Sequence, residues 1–211
     1  IDWGSDGRVE GGIAQQAYEQ IRQISQQGLC NDYCIVVSHP TGDLVTRYLL
    51  ENQARWLQSE GLQPLKILAS LDYSGAGGGT ELANLALSLA YNDSWYNWPL
   101  RAAVEAFTGI EPEPGKLGVV NDLQTNSARN LAVSPNSIHR LRFVAGGSSY
   151  GGITKPFIAG SDEGVVPTHS ACGATSASGI DSCPSRLSLA GKVQRPTGTR
   201  GMVCQTHTGR E

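Results

Sequence analysis

The fold is decided by one stretch of the chain, Tyr33-Cys34-Ile35-Val36-Val37-Ser38-His39-Pro40-Thr41-Gly42-Asp43-Leu44-Val45-Thr46-Arg47-Tyr48. Its first five residues form an uninterrupted run rich in β-branched side chains, which is typical of a parallel strand covered on both faces. Leu44, Val45 and Tyr48 then recur at helical spacing. The sequence therefore predicts a strand, a sharp turn and a helix.

Helical and extended patterns alternate on both sides of this stretch. A first helix is predicted by apolar residues that recur at helical spacing, namely Val9, Ile13, Ala17, Ile21 and Ile24. The helix after the turn should end before Gly61, and residues 65–71 should form the next strand. Residues 123–131 are predicted to be helical and residues 141–145 to be a strand. Short connections in this order predict an α/β fold with a mostly parallel sheet flanked by helices.

Composition narrows the class of protein. A chain of 211 residues suits one domain, so we expect a single domain over residues 1–211. The net charge of −3 and the lack of a Lys/Arg run argue against nucleic acid or an anionic membrane surface as the partner. The sequence has neither a span of roughly 18–20 apolar residues nor a signal-peptide pattern. We expect a soluble chain, and the oligomeric state is not defined by these features.

The five cysteines favour an oxidising compartment. Cys30 with Cys34, and Cys172 with Cys183, are close enough in sequence for two local disulfides, which leaves Cys204 over. Buried free thiols are the alternative, and neither spacing is a zinc signature. With 26 glycines and 17% charged residues, the composition fits a turn-rich secreted enzyme. A secreted or periplasmic location is expected.

The turn at residues 38–42 resembles the nucleophile elbow of the bacterial secreted lipases, a family of α/β-hydrolases. Their elbow follows the pattern G-x-S-x-G, and Ser38-His39-Pro40-Thr41-Gly42 stands in those five places. Matching positions around it are His39, Gly42, Leu44, Arg47 and Tyr48. The chain departs from the family where Ser38 and Asp43 replace glycines, and where Pro40 replaces the nucleophilic serine.

Pro40 changes what the turn can do. An elbow serine sits on a strained turn that usually requires a positive φ, whereas a proline ring holds φ near about −65°. Pro40 also lacks the hydroxyl group. Two alternatives to an elbow follow: an ordinary helix start with Ser38 or His39 as its cap, or an active enzyme that uses Ser38 as its nucleophile.

Two further segments extend the resemblance. The glycine-rich residues 74–83 align with a lipase segment that follows the next strand, and they carry neither a P-loop nor a dinucleotide fingerprint. Residues 85–109 are rich in aromatic side chains where the lipases carry a helical lid. The resemblance implies that His39, Trp95 and Trp98 contact substrate, although ordinary core helices would explain this insertion equally well.

The resemblance also supplies an acid and a base. Residues 160–172 resemble the lipase segment that carries the catalytic acid, with Glu163 in register and Asp162 directly before it. His207 stands where the family places its base. Gly209 replaces an aspartate that binds structural calcium in some family members, so we expect no required cofactor or metal.

Together these matches imply a carboxylic ester hydrolase, a lipase or esterase acting on a small-molecule ester or lipid through an acyl-enzyme. His207 should hydrogen-bond Glu163 or Asp162 and face residue 40, with the Thr41 N–H as one oxyanion donor. The family's second donor comes from an earlier strand, so we expect this chain to be a processed or incomplete form. The alternative is a catalytically silent α/β-hydrolase scaffold that binds a ligand or a protein partner.

Overall fold

The structure is a computed structural model that describes residues 7–91, 101–102, 105, 117–131, 138–146, 158, 165–171 and 201–207. These residues build one sheet with the spatial order β1-β2-β3-β4. Its strands are β1 (Cys34–Ser38), β2 (Ile67–Tyr73), β3 (His139–Gly146) and β4 (Gly201–His207). β1, β2 and β3 are mutually parallel neighbours, and β4 pairs with β3 in the antiparallel sense. The predicted α/β class with a mostly parallel sheet is confirmed.

Six α-helices with defined bounds accompany the sheet, and the described residues 101, 102 and 105 are helical as well. The six are α1 (Ala14–Gln26), α2 (Thr41–Ser59), α3 (Glu81–Ala90), α4 (Gly118–Asp122), α5 (Thr125–Leu131) and α6 (Thr168–Ala171). A π-helical turn, Val9–Ile13, leads into α1. Gly28 and Gly61 take φ angles of +70° and +72° just after α1 and α2, which is the conformation that lets glycine end a helix.

The main hydrophobic core lies where α1 and α2 meet α4 and α5. Its buried members are Val9, Ile13, Ala17, Leu44, Val45, Val119 and Ala128. Asp122 ties the start of the described chain to this core, because its carboxylate accepts hydrogen bonds from Arg8 Nε at 2.8 Å and from Val9 N at 2.7 Å. This contact fixes the entry of the chain into α1.

The sequence prediction that β1 is covered on both faces is wrong. Ser38 faces α2 and is 5% exposed, whereas Ile35 and Val37 on the opposite face are 54% and 64% exposed. Successive side chains of a strand point to opposite faces, so α2 covers one set only. A continuous apolar run identifies a strand but does not show how many of its faces are buried.

The disulfide predicted between Cys30 and Cys34 is present, with the two Cα atoms 5.0 Å apart. It closes a short loop directly before β1. Cys172 and Cys183 lie outside the described residues, and Cys204 belongs to β4. Among the helices that the structure describes, none combines the length and the apolar character needed to cross a bilayer.

Candidate functional site

The turn at residues 38–42 connects the carboxyl end of β1 to the start of α2. Pro40 has φ −50° and ψ −60°, which is ordinary right-handed helical backbone. The helix begins at Thr41, and no side-chain hydrogen bond caps it. Residue 40 therefore starts a helix without the positive φ of a nucleophile elbow, and neither Ser38 nor His39 acts as the predicted cap.

The other predicted site residues are only partly described. His39 is exposed beside Pro40, and Thr41 is half-buried at the start of α2. Trp95, Trp98, Asp162 and Glu163 lie outside the described residues. The predicted contacts of these four side chains, and the predicted lid-like insertion of residues 85–109, stay predictions.

His207 is placed by its backbone alone. It ends β4 opposite Arg140 of β3, in the same row of the sheet as Ser70 and Val36. β2 and β3 lie between β4, which carries His207, and β1, the strand that leads into residue 40. The hydrogen bond from His207 to Asp162 or Glu163 stays a prediction.

A glycine-rich loop, residues 74–80, covers the carboxyl edge of the parallel strands. Ala76 N donates to Pro40 O at 2.9 Å, so the loop is fastened to the turn after β1. Ser74 N donates to Phe143 O at 2.8 Å, and Gly78 N donates to Ser170 Oγ at 3.1 Å. The loop thus joins the turn after β1 to β3 and to α6.

Two of the loop glycines lie directly against charged side chains. A Cβ on Gly75 would overlap both carboxylate oxygens of Asp72. A Cβ on Gly77 would overlap Asp43 Oδ2 and Arg47 Nη1. The loop backbone therefore lies directly on a buried ionic cluster.

That cluster is built from the helix-facing side of the sheet and the first two turns of α2. The strand register places Ser38, Asp72 and Arg142 side by side on β1, β2 and β3. Ser38 Oγ donates to Asp72 Oδ1 at 3.3 Å. Asp43 lies 4.0 Å from Arg47, measured from Oδ2 to Nη1. Asp43 and Asp72 are 2% and 1% exposed, so the cluster is inside the protein.

Burial controls the protonation of this cluster. It raises the pKa of Asp72 to about 7, with the neighbouring Asp43 raising it further, while Arg142, Arg140 and the Ser38 hydroxyl oppose the shift. Burial also lowers the pKa of Arg142 to about 10, and Arg140 adds to that effect. Among the described residues, Asp72 Oδ2 and Asp43 Oδ1 have no hydrogen-bond partner. A proton held by Asp72 near neutral pH relieves the repulsion between the two carboxylates.

Sequence reasoning did not identify Asp72, Arg140 or Arg142 as site residues. A signal was present, because Arg140 and Arg142 alternate with apolar residues in a strand, which places both on one face. Which face that is, and that Asp72 lies beside Arg142, depends on the strand register. That register is a property of the folded sheet.

Fold and site define an α/β protein with a buried carboxylate–arginine cluster under a turn and a glycine-rich loop. Comparison with known proteins adds no relative: no protein-family model matches the chain, and a search of curated proteins gives no significant match.

Proposed function

We propose that the chain is an α/β-hydrolase-like scaffold of the lipase type, which binds a carboxylic ester or lipid but has no nucleophile at residue 40. One observation carries this proposal. Pro40 follows β1 at the elbow position with a helical φ of −50° and no hydroxyl group. Acyl transfer at an elbow needs a hydroxyl held on a strained turn above the sheet. Pro40 supplies neither the group nor the strain.

The location of the turn supports a ligand site. Ligands of open α/β sheets bind beyond the carboxyl ends of the parallel strands, and residues 38–42 and 74–80 both lie there. We infer an ester or lipid as the class of ligand because the chain resembles the lipases at the elbow, the glycine-rich segment, the acid segment and His207. No metal enters this proposal, and the Cys30–Cys34 disulfide agrees with a secreted or periplasmic location.

Active ester hydrolysis is the second candidate. It is favoured by the Ser38 hydroxyl, which donates to Asp72, a carboxyl group with a pKa of about 7. In this candidate the serine Oγ attacks the ester carbonyl carbon, the alcohol leaves, and water releases the acid from the acyl-serine. His207 would carry the proton, with Asp162 or Glu163 as the acid. Ser38 is only 5% exposed, which disfavours attack on a bound ester.

Turnover of a short-chain p-nitrophenyl ester separates the two candidates. We expect the parent chain to hydrolyse the ester no faster than the buffer background, because residue 40 offers no nucleophile. Pro40→Ser restores the hydroxyl group and removes the ring that holds φ near about −65°, so the elbow turn becomes accessible and turnover should rise by about tenfold or more above the parent. Gln58→Ser adds a serine at an exposed position of the same helix and should stay at background.

Two results would contradict the silent scaffold. The first is a parent chain that turns over the ester at the same rate as Pro40→Ser, which would also reject residue 40 as the nucleophile position. The second is a covalent adduct on Ser38 of the parent chain after treatment with a fluorophosphonate, located by peptide mapping. Either result would support the active hydrolase.

A further inference from the structure

A cleft lies between α1 and the carboxyl-terminal end of α2, which is the end of this helix farther from residue 40. Its volume is about 300 Å³, and its walls include Tyr18 of α1, Trp56 of α2 and the carboxylates of Glu10 and Glu60. Trp56 is sixteen residues along the chain from Pro40. At 1.5 Å per residue this separates the cleft from the turn by roughly 24 Å. The cleft is therefore distinct from the site proposed above.

Tyr18 and Trp56 form the aromatic wall of the cleft, and Tyr48 contacts Trp56 without lining the cleft. Trp56 stands in the middle, with its ring centroid 5.6 Å from that of Tyr18 and 5.9 Å from that of Tyr48. The Tyr18 ring is nearly perpendicular to Trp56, at 76°. Aromatic faces carry negative electrostatic potential, and tryptophan attracts cations most strongly.

Two carboxylates, those of Glu10 and Glu60, line the cleft beside these rings. Glu60 Oε1 accepts a hydrogen bond from the Tyr18 hydroxyl at 2.6 Å, which fixes one carboxylate against the ring. Glu10 is the second lining carboxylate. Burial raises the pKa of Tyr48, and the charge of Glu10 adds to this effect. Within the described residues, the cleft lining contains two acidic side chains and no basic one, but Glu60 Oε2 also pairs with Arg22 Nε of α1 at 3.0 Å, so the charge of Glu60 is already balanced.

We propose that this cleft binds a small organic cation that carries a quaternary ammonium group. The methyl groups of such a cation pack on Trp56 and Tyr18, and its charge is balanced mainly by Glu10, because Glu60 already pairs with Arg22. Gly11 and Ala14 line the cleft with little side-chain volume, and about 300 Å³ matches the lower range of small-molecule pockets. A hard metal ion would require more oxygen ligands, and an anion would be repelled by both carboxylates.

The test is a titration of the full chain with choline chloride, observed through the N-methyl proton resonance of choline. We expect saturable binding in the millimolar range and an upfield shift of the resonance, because the methyl groups lie over aromatic rings. The neutral isostere 3,3-dimethylbutan-1-ol has the same shape without the charge and should bind at least about fivefold more weakly. Vesicles of phosphatidylcholine test whether the same group is recognised on a lipid headgroup.

Variants connect the binding to the cleft. Trp56→Leu should weaken choline binding by about tenfold, and Glu10→Gln by about threefold. Glu51→Gln is the matched control, since it removes the same charge from an exposed position of α2 that does not line the cleft. Where Trp56→Leu does not fold, the comparison of Glu10→Gln with Glu51→Gln decides the question.

Three results would overturn the proposal: no saturable choline binding, equal affinity for choline and its neutral isostere, or unchanged affinity in both Glu10→Gln and a folded Trp56→Leu. Loss of binding in those variants with Glu51→Gln unchanged supports it. Vesicle binding with the same dependence on Trp56 identifies a lipid headgroup as the source of the cation. Choline binding without vesicle binding identifies a free solute.

Discussion

Gly79→Ala should lower the free energy of unfolding by about 2–5 kcal/mol. Gly79 has a φ of +78°, and a Cβ there would lie 2.6 Å from Thr125 Cα and 2.7 Å from Thr125 N. The left-handed backbone costs an alanine about 1–2 kcal/mol, and the overlap costs about 1–3 kcal/mol more. Thr125 begins α5, and backbone atoms of a helix cannot move aside as the tip of a side chain can. Urea unfolding followed by circular dichroism measures the loss.

Gly12→Ala is the control for this prediction. A Cβ on Gly12 meets nothing within 4 Å, so an alanine there is free of overlap. Its main effect is to restrict the unfolded chain, which stabilises the protein by about 0.4–1 kcal/mol where the native backbone allows it. Equal unfolding free energies for Gly79→Ala and the parent chain would show that the loop is not packed on α5 as described.

The elements that sequence alone predicted are those specified by local signals. The β-branched run of residues 33–37 and the helical spacing after Thr41 led to β1 and α2 as the structure shows them. Gly61 ended α2 as predicted, because a positive φ is a local requirement. The second strand was predicted at residues 65–71 and lies at Ile67–Tyr73, since apolar residues before a strand resemble its beginning.

What sequence alone did not predict depends on contacts between distant parts of the chain. The sequence does not distinguish Asp43 and Asp72 from ordinary polar residues. They become a buried pair only because α2 packs on the face of the sheet that carries Asp72. The exposure of one face of β1 was not predicted for the same reason, because Ile35 and Val37 are apolar whether or not another element covers them. The position of His207 opposite Arg140 likewise follows from strand register.

Raising the pH from 5 to 8 should lower the free energy of unfolding by about 2–3 kcal/mol through Asp72 alone. Its pKa is about 7 in the folded protein, against an ordinary aspartate value of 3.8. The folded state therefore binds more protons than the unfolded state between these values, and its stability falls as the pH rises. The contribution is complete below pH 4 and is lost once the pH passes the folded pKa.

Asp72→Asn should remove most of this dependence on pH. The amide cannot ionise, and its Oδ1 can still accept the Ser38 hydrogen bond that Asp72 Oδ1 accepts in the parent chain. We expect urea unfolding free energies that are nearly constant from pH 5 to pH 8 for Asp72→Asn, whereas Glu51→Gln, a change at an exposed position, should keep the slope of the parent. At pH 8 the variant should be at least as stable as the parent chain, because burial disfavours the charge that only the parent carries. An Asp72→Asn variant that keeps the slope would show that another group causes it, and a parent chain without the slope would show that Asp72 is already ionised at pH 5. In that case Arg140 and Arg142 would outweigh burial, and the cluster would act as a fixed ion network instead of a group that exchanges a proton near neutral pH.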